Sequence, residues 1–217
     1  MHASTYAGAA TALTILAAAG TAAAQEAPVT VGAGAPTVQY YDVAPPPGVI
    51  RAPRNALEIG VDAGWTMPFG DIQLDRSIHD VAGAGFSPGL DLAYRFGPHW
   101  SFGVGGQYHE SSADDALLDG SRVRGFAVNL NGTFHAMPYR FMDPYVTLGT
   151  GYRGLWEVPP GAAPNSYIHG WEIGRLQIGV DYRLSKDIAI GPYVAADLNM
   201  FTWENVGSRP TINLQNR

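Results

Sequence analysis

The sequence predicts an all-β fold, an antiparallel up-and-down transmembrane β-barrel of about eight strands with the last strand incomplete or missing. Three observations predict it. From Leu57 to Met200 apolar residues recur at every second position, the period of a strand and not of a helix. The positions between them carry glycine, amides and ionised groups, so each strand has one apolar and one polar face. The connections alternate in length: tight at 97–99 and 185–187, moderate at 137–144, long at 68–88, 111–122 and 157–167. A sheet in water hides its apolar face in a core, whereas a barrel in lipid turns that face outward and encloses the polar one.

Composition narrows the classes. The chain has 217 residues, 46% hydrophobic and 15% charged, enough for one domain and a tail. Half of every barrel strand is polar, which keeps overall hydropathy near neutral. A net charge of −6 without a basic stripe argues against nucleic acid as a partner. The absence of cysteine excludes a disulfide framework, a thiol nucleophile and a thiolate metal site.

Three regions follow in order. Residues 1–24 read as a signal peptide: Ala9 to Gly20 is an apolar stretch, and Ala22-Ala23-Ala24 before Gln25 is an A-x-A cleavage site, although no Lys or Arg precedes them. Residues 25–55 carry Pro28, Pro36, Pro45-Pro46-Pro47 and Pro53 and are expected to be a mobile periplasmic tail. Residues 56–217 are the expected outer-membrane barrel domain.

Seven strands are expected within it. In 56–67, Leu57, Ile59, Val61, Ala63 and Trp65 face one way, and Glu58, Gly60, Asp62 and Gly64 the other. In 89–96, Leu90, Leu92, Tyr94 and Phe96 oppose Asp91 and Arg95. In 100–110, Trp100, Phe102, Val104 and Tyr108 face outward, while Gln107 and His109 face in. In 123–136, Phe126, Val128, Leu130 and Phe134 oppose Asn129, Asn131, Thr133 and His135. In 145–155, Val146, Leu148 and Tyr152 oppose Thr147 and Arg153. The strand at 168–184 ends with Leu176, Ile178, Val180, Tyr182 and Leu184 against Arg175, Gln177, Asp181 and Arg183. Trp171 and Ile173 are out of phase with it, so a bulge is expected near Gly174. The last, 188–203, sets Ile190, Val194, Leu198 and Met200 against Tyr193, Asp197 and Asn199.

The inner face is expected to hold an ion-pair network of Glu58, Asp62, Asp91, Arg95, Arg153, Arg175, Asp181, Arg183 and Asp197, filling the lumen. Trp65, Tyr94, Phe96, Trp100, Phe102, Tyr108, Tyr152 and Tyr182 crowd the strand ends and are expected at the two membrane interfaces.

Together with the A-x-A signal and the Leu57–Trp65 strand, the segment Asp143-Pro144-Tyr145-Val146-Thr147-Leu148-Gly149-Thr150-Gly151 resembles the small outer-membrane β-barrel domain family, the eight-stranded group that includes the OmpA transmembrane domain and OmpX. The resemblance covers roughly residues 56–203. It implies a monomeric barrel with no uniform activity. Such chains end on a closing strand with a terminal aromatic, read by the barrel-assembly machinery. This one ends Thr211-Ile212-Asn213-Leu214-Gln215-Asn216-Arg217, so a closing strand beyond the given residues is expected.

No catalytic constellation emerges. His109-Glu110-Ser111 resembles the His-x-Ser pair of an outer-membrane lipid A deacylase, but His109 has lumen parity and the residues after Ser111-Ser112 do not match. Asp114-Asp115 and Asp119 lack the calcium-loop spacing, and the six histidines show no zinc spacing. No cofactor or metal is expected. The expected function is a non-enzymatic, porin-like outer-membrane protein of a Gram-negative envelope. It would contact outer-membrane lipid and anchor surface loops for structural or adhesive work. The alternatives are a narrow channel for small solutes, a lipid-modifying enzyme, or a soluble lipocalin-like barrel with its apolar face inside.

Overall fold

A computed structural model describes residues 6–17, 50, 52–73, 76–78, 82–112, 121–161 and 164–214. Its elements are all strands: β1 (Tyr6–Ala17), β2 (Ala56–Phe69), β3 (Asp71–Gln73), β4 (Arg76–Ser77), β5 (Gly85–Phe96), β6 (Trp100–Ser112), β7 (Arg122–His135), β8 (Met142–Val158), β9 (Ser166–Arg183), β10 (Ile188–Val206) and β11 (Ile212–Asn213). The seven strands expected from alternation all form, most of them longer by a few residues. Branched and aromatic side chains on a pleated surface favour this state.

The sheet order is β1-β2-β5-β6-β7-β8-β9-β10-β11, and β3 and β4 make a separate two-stranded hairpin. Every neighbour is antiparallel to the next. Strand β1 pairs on both sides: Thr11 lies opposite Trp65 of β2 and opposite Val194 of β10. The long strands thus number eight, and β1 brings the ladder back to its start.

This alters the reading of both ends. The C-terminal strand is incomplete as expected, since β11 adds only Ile212 and Asn213 opposite Glu204 and Trp203. The eighth long strand comes instead from the apolar stretch read as an export signal. Ala22-Ala23-Ala24 and 25–49 lie outside the described residues. One segment cannot both be discarded before Gln25 and occupy the seam between β2 and β10. The end of the proline-rich stretch is tied down, because Ala52 N donates to Pro138 O at 2.8 Å and Arg54 donates to the Tyr139 hydroxyl at 2.8 Å.

The connections from β5 to β6, β7 to β8 and β9 to β10, all on one side, are short. Residues 97–99 join β5 to β6, with Gly97 at φ 68° supplying a left-handed conformation that a Cβ would disfavour. On the other side the connections 70–84, 113–121 and 159–165 are longer. The first of these was expected only as a long connection. It folds back: Ile78 N donates to Gly70 O at 2.9 Å and Ala82 N to Ile78 O at 2.8 Å, which buries Ile72, Ile78 and Ala82.

Two irregularities re-aim side chains. In β9 the register passes from Gly174 to Glu172 against β10 and from Arg175 to Glu172 against β8, the bulge expected near Gly174. It turns Trp171 and Ile173 outward and Glu172 inward. A second shift, between Phe201 and Trp203 in β10, buries both Phe201 and Thr202 and sends Trp203 to the wall; the sequence reading missed it.

Candidate functional site

On β2 and β5–β10, alternation places every described ionised residue but three inside, and the lumen is where the chemistry of this chain collects. The nine residues expected to face inward do so. Glu58, Asp62, Arg95, Arg153, Arg175, Asp181, Arg183 and Asp197 are buried, and Asp91 is half-buried. The opposite face is bare: Leu90, Leu130 and Leu148 are 58%, 63% and 64% exposed. Ile178 is exposed where Asp181 and Arg183 are buried, so the inside-out alternative, a lipocalin-like barrel, is wrong.

Near the short turns one connected network forms. Arg95 Nε donates to Glu58 Oε1 at 2.5 Å, Arg95 Nη1 to Pro98 O at 2.9 Å, and Arg95 Nη2 to His135 Nε2 at 2.9 Å. A guanidinium only donates, so His135 Nε2 must accept and its proton sits on Nδ1. That Nδ1 faces Asp143 Oδ2 at 3.1 Å. Asp143 also accepts from Arg183 Nη2 at 2.7 Å and from Met137 N at 3.0 Å. His135, Asp143 and Asp181 bring their ligand atoms within 4.8 Å of one another. They do not fit a metal: both ring nitrogens are engaged, and two guanidiniums flank the set.

Halfway up, Asp62 accepts from the Tyr193 hydroxyl at 2.7 Å, and Asp91 from Asn131 at 3.4 Å. Higher still, Asp197 lies 3.1 Å from Arg153 and 3.7 Å from Arg175. Glu172 is fully buried beside these groups, yet among the described residues neither of its carboxylate oxygens has a hydrogen-bond partner. A polar cavity of about 70 Å³ separates the layers; Glu58, Asp91, Asn131, Thr133, Gln177 and Asp181 line it. Its volume suits a few water molecules.

The expected network is therefore present but differently wired. Glu58–Arg95, Arg153–Asp197 and Arg175–Asp197 pair within the expected set. Arg183 pairs with Asp143, Asp62 with a tyrosine, and Asp91 with an amide. Asp143, Glu172 and Tyr193 were missed as members. Glu172 was legible once the Gly174 bulge was expected, because the bulge flips its parity. Nor does the network fill the lumen. Toward the long loops, Ile72, Ile78, Ala82, Val123, Leu155, Ile168, Phe201 and Leu214 form an apolar plug.

His109 is buried, and its ring lies across Gly125, where a Cβ would collide with it. It packs inside the barrel and not on the wall, as its parity required. Trp65, Phe96, Trp100 and Phe102 are exposed on the outer face, with Tyr94, Tyr108, Tyr152 and Tyr182 also pointing outward. Trp100 and Phe134 lie 4.9 Å apart near the short turns. At the other end Phe126, Trp156, Tyr167, His169 and Trp203 form a continuous ring ladder, each ring 4.6–5.4 Å from the next.

Comparison with protein-family models, with curated proteins and with solved structures finds no match. The functional reading therefore rests on the geometry alone.

Proposed function

We propose that the chain is a monomeric, non-enzymatic outer-membrane barrel that anchors its long loops at the cell surface, with a lumen too filled to conduct. One observation carries this reading. Among the described residues, 30 large apolar side chains are exposed, while on β2 and β5–β10 only three ionised residues, Glu110, Arg122 and Arg124, face outward. A soluble monomer rarely leaves more than a few hundred Å² of contiguous apolar surface bare, so such a wall calls for lipid.

The dimensions suit a bilayer. Phe134 and Phe126 mark the lower and upper aromatic rows on β7. Eight residues of strand rise about 27 Å, or about 21 Å along the normal at the usual tilt, close to the ~25 Å apolar band of such barrels. In this reading outer-membrane lipid is the principal partner, the barrel-assembly machinery inserts the chain, and the two aromatic rows sit at the headgroup boundaries. The envelope address rests on this wall and not on the N-terminal segment. The test is sedimentation of the full chain with outer membranes after a urea wash. Release into the supernatant would sink the proposal.

A second reading, a narrow channel for small solutes, draws on the 70 Å³ polar cavity. The apolar plug above it disfavours ion passage. Planar bilayers containing the purified chain are expected to stay silent, and discrete conductance steps would favour the channel.

A further inference from the structure

We propose that the outer wall carries a site for a phosphorylated lipid head group at the loop-side ends of β6 and β7, read by Arg122 and Arg124. The inference rests on the membrane reading above and adds a specific ligand class to it. Among the described outward-facing side chains of β2 and β5–β10, only Glu110, Arg122 and Arg124 are ionised. All three fall in one patch. Glu110 pairs in register with Arg124, and Arg124 with Trp156 of β8.

The patch lies at the level a phosphate occupies. Phe126, the next outward residue below Arg124, packs on Trp156 at 5.2 Å, and Trp156 stacks on Tyr167 at 5.0 Å. These rings belong to the upper aromatic row. Arg124 stands two residues beyond Phe126, about 7 Å along the strand and in register with Trp156, and Arg122 the same distance further. With Phe126 at the headgroup boundary, both guanidiniums emerge among the phosphates.

The chemistry favours a phosphomonoester. A guanidinium fork binds two phosphate oxygens at once. The competitor on the wall is Glu110, whose Oε1 lies 3.5 Å from Arg124 Nε, both side chains nearly half exposed. An exposed pair of that kind is weak and readily exchanged. Arg122, also exposed, leaves the patch with one positive charge in excess. Everywhere else the described wall is uncharged, so attraction is confined to this spot.

The experiment places the full chain in phosphatidylcholine nanodiscs doped with phosphatidic acid or with the same amount of diacylglycerol, its dephosphorylated counterpart. Native mass spectrometry counts the dopant lipid retained on the released protein. Wild type is expected to retain phosphatidic acid over diacylglycerol. Arg122→Gln and Arg124→Gln are each expected to weaken that retention about fivefold, and the double variant to abolish the preference. Lys186→Gln, in the short turn at the other end, is expected to leave it unchanged. Equal retention of the two lipids by wild type, or undiminished retention by the double variant, overturns the site while the barrel reading stands. A chain that never enters the nanodisc overturns both.

Discussion

Near the short turns the lumen is held by Glu58, Arg95, His135, Asp143 and Arg183, joined through hydrogen bonds of 2.5–3.1 Å. Near the long loops it is held by Val123, Leu155, Ile168 and Phe201, with Ile72 and Ile78 folded in from 70–84. The two halves fill the same kind of space by opposite means. Ionised groups out of water need partners with fixed geometry, so the first half tolerates few changes of chemistry and enforces one arrangement. Apolar side chains need only volume, so the second half tolerates changes of chemistry that keep shape. The difference teaches that polar strand parity alone does not decide what fills a barrel, because a connection long enough to fold back can supply its own core.

The largest test spans both halves. Deleting residues 1–24 removes β1 and bares the facing edges of β2 and β10, each unsatisfied backbone group in lipid costing several kcal/mol. Loss of the heat-resistant folded band on a gel is expected. A band that survives would show that something other than Tyr6–Ala17 fills the seam. Intact mass of the chain isolated from the envelope gives the complementary check, since a mature chain starting at Gln25 removes β1 from the resident fold.

Arg95→Leu should destabilise by about 3–5 kcal/mol, because Glu58 and His135 lose a buried partner. A urea midpoint measures it. Replacing Glu58 by Leu as well should recover most of the loss, since the uncompensated carboxylate is what costs most. If the double variant is no better than Arg95→Leu, the pair was not the source. Phe201→Ala should cost about 3–5 kcal/mol by leaving a cavity in the plug. Phe201→Leu should restore most of it, and a polar residue there should not. Were Phe201→Ala neutral, the apolar plug would carry no stability and the contrast between the halves would dissolve. The smallest effect is expected from Lys186→Ala, whose 3.9 Å pair with Asp187 is exposed: below about 0.5 kcal/mol.

The strand framework was legible because the signal is local and periodic. Each of the nine expected inward residues lay inside a run whose apolar partners were unambiguous, such as Asp91 between Leu90 and Leu92. The wiring was not legible. Whether Asp62 meets an arginine or Tyr193 depends on register across β2, β1 and β10, and parity carries no such information. Asp143 was hidden beside a proline at the edge of a turn, where alternation has barely begun. Phe201 and Thr202 share an inward face only because of a bulge that no glycine announces. The seam-filling role of Tyr6–Ala17 was masked by a composition that two different fates, export signal and strand, share.

That last strand has a kinetic consequence. Its contacts join Tyr6 to Asn199 and Ala17 to Ile188, nearly opposite ends of the chain, whereas hairpins such as β5–β6 and β9–β10 join near neighbours. Local hairpins lose little chain entropy on forming, and distant pairings lose much. Seating of β1 against β10 is therefore expected to be the final and slowest event. Until then two long edges stand open together, and at high protein concentration they invite the same segment from a neighbouring molecule to swap in.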